Sequence, residues 1–141
     1  MSTSSSTART YRITALAGDG IGPEIMRVGR AVLDAVARQM GFALQWQEGL
    51  IGGAAYDQTG DPLPAETLKM AQESDAVYLA AVGDFKYDAL PPEKRPERAL
   101  LGLRAGLGLF ANLRPVKVFP QLVGASSLKP EVISGIDLVV V

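Results

Sequence analysis

The sequence predicts an α/β protein in which a parallel-dominated sheet is flanked by helices. Apolar runs of strand length alternate with segments of helical periodicity, which is the pattern of parallel α/β folds. Residues 76–82 are apolar throughout, as is typical of a strand covered on both faces. The 15 glycines fit a chain with many tight connections.

The composition limits the chemistry that this chain can perform. The net charge is −1, and the absence of any basic cluster speaks against a nucleic-acid partner. No apolar run is long enough to span a membrane. The sequence has no cysteine and no histidine, which removes disulfides, thiolate sites and the commonest general base. Chemistry must therefore come from carboxylates, Lys, Tyr, Ser or Arg.

The N-terminal third predicts a tail, a strand and a helix. Residues 1–10 are rich in Ser and Thr, lack the apolar core of a secretory signal, and are expected to be disordered. Residues 11–17 predict a strand that leads into GDGIGPE at 18–24 and then a helix ending at Gly41. The glycine spacing differs from the dinucleotide fingerprint. The apolar stripe of this helix consists of Ile25, Val28, Val32, Leu33, Val36 and Met40.

The middle of the chain continues the alternation. Residues 42–49 predict a second strand, residues 52–64 a turn-rich loop, and residues 64–74 a short helix. A third strand follows at residues 76–82. Residues 83–95 then form a long loop, and loops of that length in compact domains are often functional.

The stretch LLGLRAGLGLFANLRP at residues 100–115 is the most unusual part of the sequence, because it places Arg104 and Arg114 inside an apolar run. A helix from Pro96 to about Leu107 precedes an extended segment at residues 110–118. A cation among leucines requires an anion. Two interpretations stay open, since that anion is either a structural carboxylate or a ligand. One stripe of the helix carries Glu97, Leu100, Leu101, Arg104 and Leu107.

These stretches together resemble the N-terminal part of the decarboxylating dehydrogenases of the isocitrate and isopropylmalate dehydrogenase family. The apolar run at residues 136–141 stops without a polar cap, so the chain is interpreted as truncated and its fold as incomplete. The matching motifs are GDGIGPE at 18–24, GGAAYDQTGDPLP at 52–64, AVG at 81–83, KYDALPPEKRPE at 86–97 and LLGLRAGLGLFANLRPVKVFP at 100–120.

The resemblance implies an enzyme that oxidises a 2-hydroxy diacid with NAD and uses Mg²⁺ or Mn²⁺ during loss of carbon dioxide. It assigns residues 11–99 to a large α/β domain and residues 100–141 to the start of a second, dimer-forming domain. A cytoplasmic homodimer is expected, or a plastid protein if the N-terminus belongs to a transit peptide. The catalytic acid and base and the metal ligands are expected beyond Val141, so the 141 residues alone should be inactive.

The resemblance also assigns roles to single residues. Arg104 and Arg114 match arginines that hold substrate carboxylates; a third is expected beyond Val141. The cofactor side comprises Glu97 near the nicotinamide end, Ile21 near the adenine, and the loop residues Gly83, Asp84, Lys86 and Tyr87. Asp84-Phe85 replaces a common Gly-Pro pair, so a contact from Asp84 is the least supported of these assignments.

Leu100 carries the expectation about the substrate. Relatives that act on isocitrate have polar residues on this helix face for a third carboxylate, whereas an apolar side chain suits an isopropyl group. Isopropylmalate is therefore the expected substrate. Four alternatives remain: another decarboxylating dehydrogenase acting on tartrate, malate or isocitrate, a non-catalytic anion-binding or dimerising module, a fragment with no independent function, and ordinary core packing of the leucines.

Overall fold

The computed structural model describes residues 9–141, in two compact units. The first unit ends at Gly108, and the second comprises Leu109–Val141. The predicted tail at residues 1–10 lies outside the described residues except for its last two positions. Thr10 already belongs to the first strand.

The first unit contains a three-stranded parallel sheet. Its strands are β1 (Thr10–Gly18), β2 (Ala43–Gly49) and β3 (Ala76–Ala81), in the order β2-β1-β3. Central β1 pairs in parallel with both neighbours. The three predicted strands and the α/β fold class are thereby confirmed. Because all strands run the same way, the turns that follow them meet at one edge of the sheet.

Helices cover both faces of this sheet. They are α1 (Gly22–Met40), α2 (Gly52–Thr59), α3 (Ala65–Gln72) and α4 (Pro96–Gly106). Ala15 and Ala17 line a groove beside α1, while Leu16 between them belongs to the core under the other helices. Neighbouring strand residues point to opposite faces of the sheet. Helix α1 therefore covers one face, and α3 and α4 cover the other. The core cluster consists of Leu16, Ile51, Ala71, Ala99 and Leu103.

Helix α1 is confirmed, but its predicted apolar stripe does not face the sheet. Val32 is 57% exposed, and most of the stripe is similarly open. Met26 and Ala37 are buried against the sheet instead. Gly29 explains the close approach, since a Cβ there would overlap the Tyr78 hydroxyl. The helix therefore approaches the sheet closely at Gly29 and presents its predicted apolar stripe outward.

The predicted turn-rich loop at residues 52–64 is wrong for its first half, which forms α2. The paired glycines there serve close packing, because a Cβ at Gly53 would overlap the Tyr87 ring. Ala55 is fully buried and fixes the helix against the core. Turn geometry begins only at Gly60, which has φ +75° and ends the helix.

The connection from β3 to α4 contains 3₁₀ turns at Phe85–Tyr87 and Pro92–Lys94. Helix α4 follows within one residue of its predicted bounds. It buries Pro96, Ala99 and Leu103. Of the neighbouring stripe that begins at Glu97, Leu107 packs against the core cluster, whereas Glu97 and Leu101 are exposed.

The second unit is built on a two-stranded antiparallel ribbon of β4 (Arg114–Lys117) and β5 (Asp137–Val140). A 3₁₀ turn at Pro120–Ala125 and the short helix α5 (Pro130–Ile133) connect the strands. The C-terminal run forms a strand as predicted, but it is exposed. The extended segment predicted at residues 110–118 is a strand only over β4.

Candidate functional site

A buried carboxylate ties together the turns at the carboxyl edge of the sheet. Asp19 follows β1, and its two oxygens accept the backbone N–H groups of Gly53 at 2.5 Å and Gly83 at 2.7 Å. Its own N–H donates to the Ala81 carbonyl at 3.2 Å. One side chain therefore sets the start of α2 and the end of β3 relative to β1. Asp19 was not among the predicted site residues, although an Asp between two glycines directly after a strand is a usable signal.

Four turn and helix residues converge at this edge. Gly83 has φ +115°, and a Cβ there would lie 2.8 Å from Glu97 Oε1. A Cβ at Gly20 would lie 3.3 Å from the Gly83 carbonyl oxygen and 3.5 Å from Asp84 Oδ2. Glycine is required at Gly83, since the backbone is left-handed and a carboxylate lies over it. The structure thus brings Gly83, Asp84 and Glu97 together, three of the residues that the resemblance assigns to the cofactor side.

The loop after β3 is shaped by its own first side chain. Asp84 Oδ1 accepts the Lys86 N–H at 2.9 Å, and the Asp84 carbonyl accepts the Tyr87 N–H at 2.9 Å. This turn leaves Phe85 93% exposed. Ile21, in the turn after β1, is also largely exposed. Both side chains offer open apolar surface on which a planar ring could stack.

Lys86 and Tyr87 are engaged by a third residue, Asp57 of α2. Asp57 Oδ2 accepts from Lys86 Nζ at 2.6 Å and from the Tyr87 hydroxyl at 2.9 Å. These hydrogen bonds, that from Lys86 first, lower the pKa of Asp57. The bond to Asp57 raises the pKa of Lys86, while burial is the main reason that the pKa of Tyr87 is raised. The cluster therefore favours a carboxylate, an ammonium and a neutral phenol.

The outward face of α4 carries Glu97, Leu100 and Arg104 in order. Helix geometry separates Glu97 from Arg104 by about 10 Å along the axis, with Leu100 between them. Glu97 is exposed, whereas Leu100 and Arg104 are half-buried. Within residues 9–141, Arg104 forms no ion pair. The structural carboxylate that one interpretation requires is not found in the described part of the chain.

Arg114 lies in the second unit, at the start of β4, and is exposed. With the Asn112 amide turned so that its oxygen faces the guanidinium, that oxygen accepts from Arg114 Nη2 at 3.1 Å and Nε at 3.2 Å. Arg114 likewise has no carboxylate partner among the described residues. All other predicted site residues belong to the first unit.

Two features are absent from the described residues, a metal-binding cluster and a membrane-spanning helix. Across residues 9–141, no group of three or more His, Cys, Asp or Glu side chains is arranged to hold a metal ion. No helix in this range has the length and apolar character needed to cross a membrane. A groove of about 550 Å³ lies beside α1, and three of its charged lining residues are engaged locally: Arg30 pairs with Glu48 at 2.6 Å, and Asp34 accepts from Trp46 Nε1 at 2.8 Å.

Comparison with known proteins identifies the family. The sequence profile of the isocitrate/isopropylmalate dehydrogenase family matches residues 12–141. A 3-isopropylmalate dehydrogenase from Synechococcus sp. (strain JA-2-3B'a(2-13)) is 99% identical over the whole chain, which spans 38% of that relative's length. Another, from Gloeobacter violaceus, is 62% identical over 131 residues, covering 93% of this chain and 36% of its own.

Similar solved structures support the same family assignment. A β-decarboxylating dehydrogenase from Thermococcus kodakarensis is 33% identical, with a TM-score of 0.61 over 75% of this chain and 29% of its own. Isocitrate dehydrogenase from Methylococcus capsulatus is 32% identical, with a TM-score of 0.57 over 74% of this chain and 28% of its own. The chain belongs to the isocitrate/isopropylmalate dehydrogenase family.

Proposed function

We propose that the full-length protein containing this chain is an NAD-dependent 3-isopropylmalate dehydrogenase. It would convert (2R,3S)-3-isopropylmalate to 4-methyl-2-oxopentanoate and carbon dioxide in leucine biosynthesis. The names of its relatives support this reaction. The observation that carries the proposal in this chain is the outward face of α4, which presents a carboxylate, a leucine and an unpaired arginine in sequence.

Arg104 is proposed to bind a substrate carboxylate. A half-buried guanidinium without an acidic partner gains most from a ligand anion, because its planar fork can donate two hydrogen bonds to a carboxylate. Arg114 is proposed to serve a second carboxylate from the other unit. Its hydrogen bonds to a neutral amide leave its charge uncompensated.

Leu100 is proposed to contact the isopropyl group. It lies one helical turn from each of the two charged residues on the same face of α4, and it is half-buried although it is not part of the core cluster. An apolar side chain at this point would leave a third substrate carboxylate unsatisfied. The same argument disfavours isocitrate.

The edge of the first unit fits the nicotinamide end of NAD. The exposed Glu97 carboxylate lies over Gly83, where only the absence of a side chain leaves room. Such a carboxylate can accept hydrogen bonds from an amide or a ribose hydroxyl. When bound, NAD supplies the hydride acceptor. Glu97 and the loop at Gly83 and Asp84 would hold and orient it, and Ile21 would contribute apolar surface.

No proton or metal step is assigned to residues 9–141. These residues form no cluster that fits Mg²⁺ or Mn²⁺, and Lys86 and Tyr87 are engaged by Asp57. In this chain we therefore assign only binding and orientation. For the full-length protein we extend the proposal to a divalent metal, a cytoplasmic location, a homodimeric assembly and no nucleic-acid partner.

Leu100→Asn tests the substrate assignment. The variant is made in the extended protein, by which we mean this chain joined to the remainder of the 99% identical Synechococcus relative. We expect kcat/KM for 3-isopropylmalate to fall about tenfold or more while that for malate changes less, because malate has no isopropyl group. Leu103→Asn is the control, since Leu103 is buried in the core and should lower the melting temperature with equal losses for both substrates. Equal losses with Leu100→Asn would contradict the assignment.

A further inference from the structure

We infer that Asp57 is a positioning residue for NAD, acting through Lys86 and Tyr87 on the loop at residues 83–87. The inference rests on the proposed function, because it concerns the cofactor side of that site. Asp57 itself lies on α2 and belongs to none of the segments that contribute predicted contacts to the cofactor or the substrate.

The contacts of Asp57 converge on one oxygen. Its Oδ2 accepts from both the Lys86 ammonium at 2.6 Å and the Tyr87 hydroxyl at 2.9 Å. Lys86 Nζ also lies 5.0 Å from the centre of the Tyr87 ring. The carboxylate therefore holds two consecutive loop residues at once. It holds Lys86 by an ion pair and Tyr87, which is only 6% exposed, by a hydrogen bond from the hydroxyl.

The loop is anchored at both ends, and both anchors involve α2. At its start, Gly83 is held by Asp19, which also holds the first turn of α2 through Gly53. At its end, the Tyr87 ring packs against Gly53 while its hydroxyl reaches Asp57. Gly83, the residue over which Glu97 lies, is itself the first anchor, and Asp84 follows it between the two. A shift of the Tyr87 anchor would therefore move the Asp84 backbone relative to Gly83 and Glu97.

This arrangement changes the role expected for Lys86. A lysine in a cofactor loop suggests a direct contact with a phosphate. Here the ammonium is engaged by Asp57 at 2.6 Å. We therefore assign Lys86 and Tyr87 to the support of the loop, and leave the cofactor contacts of this segment to Gly83 and Asp84.

The expected effect is modest and selective. The Lys86–Asp57 ion pair is largely exposed, so its removal should change global stability little. Loss of a loop anchor should instead weaken NAD binding. One net hydrogen bond corresponds to about a fivefold change in affinity. Substrate binding by the α4 face should stay unchanged.

The test compares Asp57→Asn, Asp57→Glu and Tyr87→Phe with Glu48→Gln in the extended protein. Glu48→Gln is a matched control, because it removes another exposed ion pair of 2.6 Å, which lies at β2 far along the chain from the loop. Three readouts are used: the NAD Kd by calorimetry, the separate KM values for NAD and 3-isopropylmalate, and hydrogen exchange of the amides of residues 83–87.

Asp57→Asn and Tyr87→Phe should raise the Kd and KM for NAD about fivefold and speed exchange in the loop, with kcat and the substrate KM within about twofold. Asp57→Glu should recover part of the loss, and Glu48→Gln should resemble the parent.

Unchanged NAD affinity and loop exchange in Asp57→Asn would overturn the inference. Equal weakening of NAD and substrate together with a lower melting temperature would also overturn it, since that is the result of a merely structural role. A parent protein that binds NAD but does not oxidise 3-isopropylmalate would contradict the proposed function alone, because the Kd and exchange readouts do not depend on turnover.

Discussion

Arg104 is a half-buried cation that no carboxylate among residues 9–141 neutralises. Replacing it with Lys keeps the charge but removes the planar fork. If the substrate supplies the anion, a charged hydrogen bond lost at this site costs roughly 2–5 kcal/mol, so kcat/KM of the extended protein should fall at least about tenfold. The melting temperature without substrate should barely change.

Arg98→Lys is the matched control for that experiment, because Arg98 is an exposed arginine of the same helix. It should leave both kcat/KM and the melting temperature at parental values. If Arg104→Lys instead lowers the melting temperature and changes kinetics only through loss of folded protein, then Arg104 is structural and the carboxylate assignment is wrong.

Substitution of Gly53 tests the packing on which the loop at residues 83–87 depends. A Cβ at this position would overlap the Tyr87 ring, and the ring belongs to the buried part of the unit. We expect Gly53→Ala to destabilise the protein by about 1–3 kcal/mol, as overpacking does elsewhere. Gly124→Ala is the control, since no atom lies within 4 Å of a Cβ built there. Chemical denaturation measures both, and equal midpoints would refute the tight contact.

The Asp57 cluster predicts a pH dependence of stability with two limits. The pKa of Asp57 is lowered from its usual 3.8, so its stabilising contribution is present above that value and is lost as the pH falls through the lower, folded-state pKa. The pKa values of Lys86 and Tyr87 are raised from 10.5 and 10.0. Their contributions are present below those values and are lost as the pH rises through the higher, folded-state ones.

Melting temperatures of the extended protein and of its Asp57→Asn variant should therefore differ only slightly, because the ion pair is largely exposed, with the difference greatest between about pH 5 and pH 9 and vanishing in stronger acid and in stronger alkali. The variant lacks the Asp57 carboxylate, which has the lowered pKa and whose hydrogen bond raises the pKa of Lys86, so its own curve should be flatter. A difference that is constant from acid to alkali would show that the cluster does not titrate as a unit.

At the scale of secondary structure, α1 presents an apolar face that no residue between 9 and 108 covers. Ile25, Val28 and Val32 are all at least 40% exposed, and the chain is far shorter than its relatives. Exposed apolar faces and open strand edges promote association. We expect the 141-residue chain made alone to self-associate, with a sedimentation coefficient that rises with concentration.

Val32→Lys should reduce that association, because it places a charge in the middle of the exposed stripe. Gln58→Lys adds the same charge at an exposed position of α2 and should have little effect. A parental chain that stays monomeric at every concentration and unfolds cooperatively would contradict the prediction.

The elements that the sequence predicts well are those with a strong period. The strand at residues 76–82 and the long helix ending at Gly41 stand out because apolar spacing alone distinguishes them. Helix α2 was missed, because Gly52-Gly53 normally indicates a turn and only tertiary packing against Tyr87 explains it. The outward direction of the α1 stripe was also missed, since periodicity defines a face without showing what covers it.

The candidate site was likewise predictable from the sequence only in part. Motifs located the β3–α4 loop and the α4 face, because those residues lie close together in sequence. Asp19 and Asp57 were not predicted, because their hydrogen-bond partners lie 29 to 64 positions away in the sequence. Long-range hydrogen bonds leave no periodic signal, and only the fold shows which turn each carboxylate reaches.

At the scale of the whole molecule, the two compact units divide the predicted site. Arg104 belongs to the first unit and Arg114 to the second. The substrate-binding role of each arginine stays a prediction. The predicted domain boundary between residues 99 and 100 stays a prediction, while the compact units separate after Gly108.

The most direct test of the account is NADH formation from 3-isopropylmalate, measured side by side for the 141-residue chain and the extended protein with NAD and Mg²⁺. We predict that the extended protein reduces NAD with 3-isopropylmalate in clear preference to malate, tartrate and isocitrate, and that the 141-residue chain, purified free of host enzyme, does not. NADH formation by the short chain would contradict the assignment of binding and orientation alone to these residues. Turnover of isocitrate or tartrate in place of 3-isopropylmalate by the extended protein would contradict the proposed function itself.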